Sequence, residues 1–374
     1  MHHRLILCQG RHMKLGIVKE NKLETRTALT PQTIKHYQRL NLDIAIEKDA
    51  GLRSHYADVA YQSLGAKLYP SDKSVFDDCD IILSITPELS LIKQLKPKTI
   101  LIASHLDSHD KTLIDACLKQ NITVFSLHLL PRISRAQNMD VLSSQASITG
   151  YRAVIDALYH YQKLAPMMMT AAGLIQPANV LILGAGVAGL QAIATAKRMG
   201  AVVTVFDVRA QAKEQVESLG ASFVSVSEES FEGSGGYAAE TTAAYQEKQQ
   251  ALIDIEAAKA DIVITTALIP NKKAPILMTE NTVNGMKPGS IIVDIATAHG
   301  GNCALSKPDK TIDYHGITII GDSVLARSVP TTASDMLANN FLNFVKYMLP
   351  LLGLGPTYND DPIMTNTLVT KEPL

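Results

Sequence analysis

Apolar residues in this chain fall mostly into short runs of four or five, set between stretches with helical periodicity. From residue 13 to about 131, the runs at 15–18, 44–47, 81–85, 100–103 and 123–126 are rich in β-branched residues. They read as strands buried on both faces. Helical stretches lie between them: residues 31–40 with Thr30 as N-cap, 58–64 closed by Gly65, and 111–119. Such alternation predicts a mostly parallel sheet with helices on its faces. A longer helical pattern at about 138–165 reads as a connector between domains, and Gly150 within it permits a kink or a close approach. Met167, Met168 and Met169 then read as core filler. Six further strand-like runs, at 180–183, 202–206, 222–226, 261–265, 290–294 and 317–320, predict a doubly wound parallel sheet of six strands. An amphipathic helix at 331–348 is expected to return to the first domain, and the polar tail from residue 357 is expected to be loose. The fold class is therefore α/β in two domains: residues 13–140 plus 330–374, discontinuous, and residues 141–329.

The second domain opens on Asn179-Val-Leu-Ile-Leu-Gly184-Ala-Gly186-Val-Ala-Gly189, a buried-strand run followed by three glycines at GxGxxG spacing and a helix stopped by Gly200. Gly184 permits the tight turn, Gly186 lets backbone approach a pyrophosphate, and Gly189 lets helix and strand pack closely. The helix-start N–H groups, with those of Val187 and Ala188 among them, face an anion. The next strand run ends in Asp207, 18 positions after Gly189, where a carboxylate meets the adenosine ribose hydroxyls and disfavours a 2′-phosphate. Both domains are thus expected to be Rossmann-like, the second binding NAD. The stretch 227–245 is polar, glycine-rich and long for a loop, and Tyr237 beside Gly235 and Gly236 suggests a lid.

Composition narrows this little but excludes some classes. The 374 residues carry a net charge of −1, so no global attraction for nucleic acid exists. Cys8, Cys79, Cys117 and Cys303 lie far apart without a CxxC, which points to a reducing compartment and to neither a disulfide framework nor a zinc site. No apolar run reaches the roughly 18 residues that span a bilayer, so a soluble protein is expected. Residues 1–12 match nothing that follows, and Met13 reads as the natural start.

The densest polar cluster is Pro131-Arg-Ile-Ser-Arg-Ala-Gln-Asn-Met-Asp140, just past a strand end, at the edge where ligands enter open α/β sheets. Its arginines, glutamine and aspartate suit amide and phosphate groups, and none is a nucleophile. Spacing alone equally allows a solvated loop before a helix capped near Asp140.

Residues 131–153 (PRISRAQNMDVLSSQASITGYRA), the glycine motif, Gly236-Tyr237, Thr265-Thr-Ala-Leu-Ile-Pro270 and Pro288-Gly-Ser-Ile-Ile-Val-Asp294 through Gly300-Gly-Asn-Cys303 together resemble the NAD(H)-binding component of proton-translocating NAD(P) transhydrogenases. The resemblance runs from residue 13 to 352. The wider group includes alanine dehydrogenase and the lysine-forming saccharopine dehydrogenases, with the same opening, Lys19-Glu20 and Arg26-Thr-Ala-Leu-Thr-Pro31. The resemblance implies that Arg132, Gln137, Asp140 and Ser143 border the nicotinamide and its ribose, with Ile133, Ser134 and Arg135 in the same cofactor loop. It also implies that Asp207, Val208 and Arg209 hold the adenosine ribose, that Tyr237 sits on a closing loop, and that Gln249 and Leu268 line the pocket. By the same resemblance, hydride passes directly between NADH here and NADP+ on a separate NADP(H)-binding beta-type subunit. A membrane-spanning subunit conducts protons, and the chain is a cytoplasmic homodimer, peripheral on the inner face of the plasma membrane. The apolar helix 341–352 is offered to that dimer.

Direct transfer requires two rings at near-attack distance, roughly 3–3.5 Å, and no acid or base. An amino-acid dehydrogenase needs both a proton acceptor and a carboxylate anchor. Alanine dehydrogenases carry a lysine where this chain has Ile81-Ile-Leu-Ser-Ile-Thr-Pro87, without one. His105 falls where they keep a histidine, and it reads as structural. An alanine-type dehydrogenase and a non-catalytic nucleotide sensor stand as the alternatives.

Overall fold

The computed structural model describes residues 12–70, 74–107, 109–226, 242–268, 272–353 and 360–370. The chain divides into two compact units, Met1–Gln145 with Arg327–Leu374, and Ala146–Ala326. The division falls inside a helix, Val141–His160, a few residues beyond the position that sequence pattern suggests.

The first unit is built on six strands: β1 (Met13–Ile17), β2 (Leu42–Glu47), β3 (Lys67–Tyr69), β4 (Ile81–Ser84), β5 (Ile100–Ala103) and β6 (Thr123–Ser126). They pair in the order β3-β2-β1-β4-β5-β6, all parallel, so the order reverses between β1 and β4. Pattern reading finds five of them. The sixth, β3, is an edge strand of three residues with only Tyr69 buried, too short and too polar for periodicity to reveal. Apolar side chains from both faces are buried. Leu15, Ile17, Ile44, Ile81 and Leu83 pack on one side, while Ile82, Leu101 and Val124 pack on the other.

The long helix Pro330–Gly353 closes one face. Its Leu337, Phe341, Phe344, Val345 and Met348 are all fully buried in this core. Most of the apolar side of residues 341–352 is therefore spent inside its own unit. The tail departs from expectation too. Asp361 caps a short helix, Pro362–Thr367, accepting from the Ile363 and Met364 N–H groups. Both of those side chains are completely buried, and Leu368 pairs with Phe125. Thr30 occupies the N-cap position of the helix Pro31–Gln38 with extended backbone, yet its hydroxyl caps nothing and has no hydrogen-bond partner among the described residues. Asp110, ahead of Lys111–Lys119, does act as a side-chain cap, accepting the Thr112 and Leu113 N–H groups.

After the helix Val141–His160, the second unit continues with a small antiparallel hairpin, β7 (Met168–Thr170) and β8 (Gly173–Ile175). Here the core-filler reading of the methionines fails. Met167, Met168 and Met169 are all exposed, Met169 by 79%, because they lie on a two-stranded ribbon rather than under a layer. Seven strands follow: β9 (Asn179–Leu183), β10 (Val202–Phe206), β11 (Ser222–Val224), β12 (Ile262–Thr265), β13 (Ile291–Asp294), β14 (Thr311–Tyr314) and β15 (Ile317–Ile320). Their order is β11-β10-β9-β12-β13-β15-β14. The first six in that order are parallel, and β14 adds an antiparallel edge. Val180, Ile182, Val203 and Val205 pack against Ala153, Val154 and Ala157 of the helix Val141–His160. Leu181, Leu183, Val263 and Ile292 pack against Ile253 and Ala257 of the helix Ala243–Lys259. Among the described residues, no helix is long and apolar enough to cross a membrane.

Candidate nucleotide-binding site

The glycine turn sits at the carboxyl end of β9, where the strand order reverses between β10 and β12. That is the position at which open α/β sheets take ligands. Each glycine has a separate cause. Gly184 lies at φ 105°, in the left-handed region. A Cβ on Gly189 would stand 1.9 Å from the Gly184 carbonyl oxygen, so only glycine lets the helix Val187–Arg198 approach β9 this closely. A Cβ on Gly186 would meet nothing within 4 Å among the described residues. Its lack of a side chain answers no packing demand among the described residues, which leave space over the helix start. No side chain among the described residues caps that helix, so the N–H groups of its first turn, including those of Val187 and Ala188, are left for an anion.

Three neighbours fix this turn. Gly150, in the middle of Val141–His160, lets that helix press on it: a Cβ there would lie 2.0 Å from the Ala188 carbonyl oxygen. Thr266 donates its hydroxyl to the Gly184 carbonyl at 3.0 Å. Asp207, just past β10, accepts the Ala185 N–H at 2.7 Å. The same carboxylate accepts three bonds from Arg209, from its backbone N–H at 2.8 Å, Nε at 2.9 Å and Nη2 at 2.7 Å. Val208 is partly buried beside them.

Residues that carried no role in the sequence complete the edge after β12 and β13. The Asp294 carboxylate is fully buried and accepts five bonds: from Thr265 Oγ1, the N–H groups of Ala296, Asn302 and Cys303, and Ser306 Oγ. Asn302 in turn clasps Ala267, accepting its N–H at 3.0 Å and donating to its carbonyl at 2.9 Å. The Thr266–Leu268 segment beside the glycine turn is thereby gripped at its central residue. The signal was available as an acidic strand end followed by Gly-Gly-Asn. Leu268 is half-buried, and Gln249, on Ala243–Lys259, has a buried Oε1 without a partner among the described residues. Gly236 and Tyr237, and the lid expected around them, lie outside the described residues.

In the first unit, the chain leaves β6 through a 3-10 turn, Leu127–Leu129, and enters the arginine-rich loop. Ala136 and Met139 anchor the loop in the core, while Arg132, Ile133, Ser134, Arg135 and Gln137 are exposed. Asn340 and Asn343 both donate to the Asn138 carbonyl at 3.0 Å, pinning the backbone from the long helix. Asp140 accepts the Ser143 N–H at 3.0 Å and the Ser143 hydroxyl at 2.5 Å, so the capped-helix alternative is realised in detail. Arg135 pairs with Asp361 at 3.2 Å and lies over the Tyr347 ring, which ties its guanidinium to the C-terminal segment.

Two further titratable features mark this sheet edge. Glu20 is buried past β1, accepting the Ile85 N–H at 2.6 Å, and burial pushes its carboxyl up to about 7. His105 and His128 stack with ring centroids 4.2 Å apart, and His128 Nδ1 lies 2.8 Å from Ser126 Oγ. Burial, and then the neighbouring His105, pushes His128 down to about 4.

Fold and site together define a two-unit α/β protein with a dinucleotide-type glycine turn in the second unit. Residues 16–149 match the family described as alanine dehydrogenase/PNT, N-terminal domain, and residues 153–373 match its C-terminal domain. A Rickettsia prowazekii (strain Madrid E) protein, named as the first part of NAD(P) transhydrogenase subunit alpha, is 44% identical over 370 residues, 96% of this chain and 95% of that one. The protein of the same name from Rhodospirillum rubrum is 44% identical over 373 residues, 96% and 93% of the two chains. Among solved structures, a transhydrogenase from Sinorhizobium meliloti superposes with a TM-score of 0.81 at 39% identity, covering 91% of this chain and 96% of that one. This chain belongs to the alanine dehydrogenase/PNT family, alongside its transhydrogenase alpha subunits.

Proposed function

We propose that this chain is the NAD(H)-binding component of a proton-translocating transhydrogenase. The observation that carries the reading is the glycine turn. Space stands over Gly186 that the described residues do not fill, above a helix start without a side-chain cap. A pyrophosphate fits there, held by backbone N–H groups from Val187 onward. Asp207, with Val208 and Arg209, is assigned to the adenosine ribose, and Leu268 and Gln249 to the pocket wall.

For the first unit's loop we assign nicotinamide positioning. Gln137 and Arg132 are exposed donors suited to a carboxamide and a phosphate. Asp140 and Ser143, locked to each other, present a fixed polar pair. Bound NADH supplies the hydride. Nothing in the proposed transfer needs a proton from the protein, and neither loop presents a nucleophile. NADP(H) is assigned to a beta-type partner subunit and proton conduction to a membrane-spanning one. This chain would work as a homodimer on the cytoplasmic side of the bacterial membrane.

The chain purified alone and mixed with an NADP(H)-binding transhydrogenase subunit should reduce an NADP+ analogue at the expense of NADH. It should not oxidise NADH with pyruvate and ammonia. Turnover with the keto acid and none in the mixture would move the assignment to an alanine-type dehydrogenase.

A further inference from the structure

Past the carboxyl end of β12 the ladder to β13 stops, and a side chain takes its place. The chain turns away after β13 through Thr297–His299 and returns at Asn302, which is fully buried. The Asn302 amide pairs with Ala267 as a neighbouring strand would. Its Oδ1 accepts the Ala267 N–H at 3.0 Å, and its Nδ2 donates to the Ala267 carbonyl at 2.9 Å. Nδ2 also donates to the Pro275 carbonyl at 2.8 Å, and the Asn302 carbonyl accepts the Leu277 and Met278 N–H groups. The Asn302 N–H is held by Asp294 at 2.9 Å, and Asp294 in turn accepts Thr265 Oγ1 at 3.1 Å. Thr265, Asp294, Asn302 and Ala267 therefore form a closed ring. Only glycine fits at 301 within it: the backbone there has φ 79°, and a Cβ would lie 2.8 Å from the Asp294 carboxylate.

This ring stands beside the glycine turn. Thr266 donates its hydroxyl to the Gly184 carbonyl, and a Cβ on Gly184 would lie 3.3 Å from the Ala267 nitrogen. In the strand order β10-β9-β12-β13, the proposed site puts adenosine at the end of β10 and pyrophosphate at β9. The other end of the nucleotide then lies toward β12, against residues 266–268. We propose that Asn302 is a positioning residue for the nicotinamide of bound NADH, holding the Ala267 backbone as the fixed wall on which the ring is set. This rests on the nucleotide-site reading above and adds to it a residue that acts through Ala267. Hydride transfer depends steeply on placement of the ring. The contacts assigned to adenosine and pyrophosphate involve neither Asn302 nor Ala267, so the two ends of the nucleotide should respond differently to its loss.

The test compares wild type, Asn302→Ala and Ser306→Ala as full chains. Ser306→Ala removes one donor from Asp294 and leaves the Asn302–Ala267 bonds in place, so it loosens the same ring more mildly. ADP-ribose, which lacks the nicotinamide, probes the adenosine and pyrophosphate contacts by calorimetry. Fluorescence anisotropy and lifetime of bound NADH report the ring itself. Single-turnover transfer to an NADP+ analogue, at saturating NADH and with the NADP(H)-binding subunit present, reports its placement. In Asn302→Ala, transfer should fall at least about tenfold and the bound ring should become more mobile, with ADP-ribose affinity within about threefold of wild type. Ser306→Ala should show the same asymmetry with a smaller loss.

An Asn302→Ala protein that transfers hydride at the wild-type rate, with unchanged NADH fluorescence, overturns the inference. So does one whose ADP-ribose affinity falls as far as its transfer rate, since Asn302 would then only support the fold of the site. Should Asn302→Ala fail to fold, Ser306→Ala decides: slower transfer or a looser ring without loss of ADP-ribose binding upholds the inference, and the absence of that asymmetry overturns it. A wild-type mixture without transfer overturns the functional reading alone, and the NADH fluorescence of the variants then decides the positioning role. A wild-type chain that binds neither NADH nor ADP-ribose overturns the nucleotide site first and this inference with it.

Discussion

Replacing Glu20 by glutamine should stabilise the protein at alkaline pH and flatten its stability–pH profile. Glu20 is buried past the end of β1, and its ordinary value of 4.5 is raised to about 7. Burial is the chief cause. Hydrogen bonds from the Ile85 and Thr86 N–H groups and the Ser84 hydroxyl offset it only in part, and the charge of Glu24 adds to it. The folded chain therefore holds this proton more tightly than the unfolded chain does. Between about pH 4.5 and 7 the unfolded carboxyl has ionised while the folded one has not, so stability falls as pH rises through that window and stays low above it. The gap of about 2.5 pH units, at 1.36 kcal/mol each, corresponds to about 3 kcal/mol.

Glutamine keeps an oxygen for the Ile85 N–H and can donate to Ser84, but it gives up the long bond from Thr86, a loss of about 1 kcal/mol. The net gain at pH 8 is then about 2 kcal/mol, or an increase of about 4–8 °C in melting temperature for a unit of this size. At pH 4.5 the variant should be no more stable than wild type. Circular dichroism melts of both proteins from pH 4.5 to 8.5 measure this directly. Parallel profiles with a constant offset would refute the reasoning, because they would mean that Glu20 does not titrate in that window in the folded chain.

Three other substitutions separate packing from binding. Gly186→Val adds its side chain to space that no described residue occupies, so stability should change by less than about 1 kcal/mol. NADH titration of the same variant should show binding lost. Gly150→Ala forces a methyl to within 2.0 Å of the Ala188 carbonyl oxygen, and overpacking of this kind costs about 1–3 kcal/mol. It should lower both melting temperature and NADH affinity, although the residue never touches the nucleotide in the proposed site. Asp140→Asn keeps a good N-cap for Val141–His160, so stability should hold. Single-turnover hydride transfer should fall more than about tenfold while NADH affinity stays within about threefold, and the reverse pattern would contradict an orienting role.

The sheets were legible in the sequence because strands buried on both faces leave uninterrupted apolar runs. What escaped were elements that bury little. The strand β3 places one buried residue at a sheet edge, and β14 alternates exposed and half-buried positions on the far edge. Hydrophobicity misled at Met167–Met169, where the β7–β8 ribbon has no layer to lie under. It misled in the other direction at the C-terminal tail, whose polar composition hides Ile363 and Met364, both fully buried. The glycine turn was legible at Gly184 and Gly189, whose left-handed backbone and close helix–strand approach the spacing already implies. The arginine-rich loop was legible only as a cluster. Which of its side chains are held by the protein itself, as Arg135 is by Asp361, depends on a segment from the far end of the chain.

The least legible feature of the site is also its most systematic. Glu20, Asp207 and Asp294 all lie at the carboxyl end of a parallel strand or within a few residues of one, and nothing in the sequence pattern tells that their carboxyls are buried. In the folded chain each is buried, and each collects backbone N–H groups from the loops at the same edge: Ile85 for Glu20, Ala185 and Arg209 for Asp207, and Ala296, Asn302 and Cys303 for Asp294. Buried N–H groups in irregular backbone must find acceptors, and a carboxylate that takes several at once holds their loops in one arrangement. The glycine turn and the Thr266–Leu268 segment thus owe their shape to buried charges. At Asp207 the protein's own donors occupy both carboxylate oxygens, so the charge that shapes the turn is also the one a ribose in the proposed site would have to share.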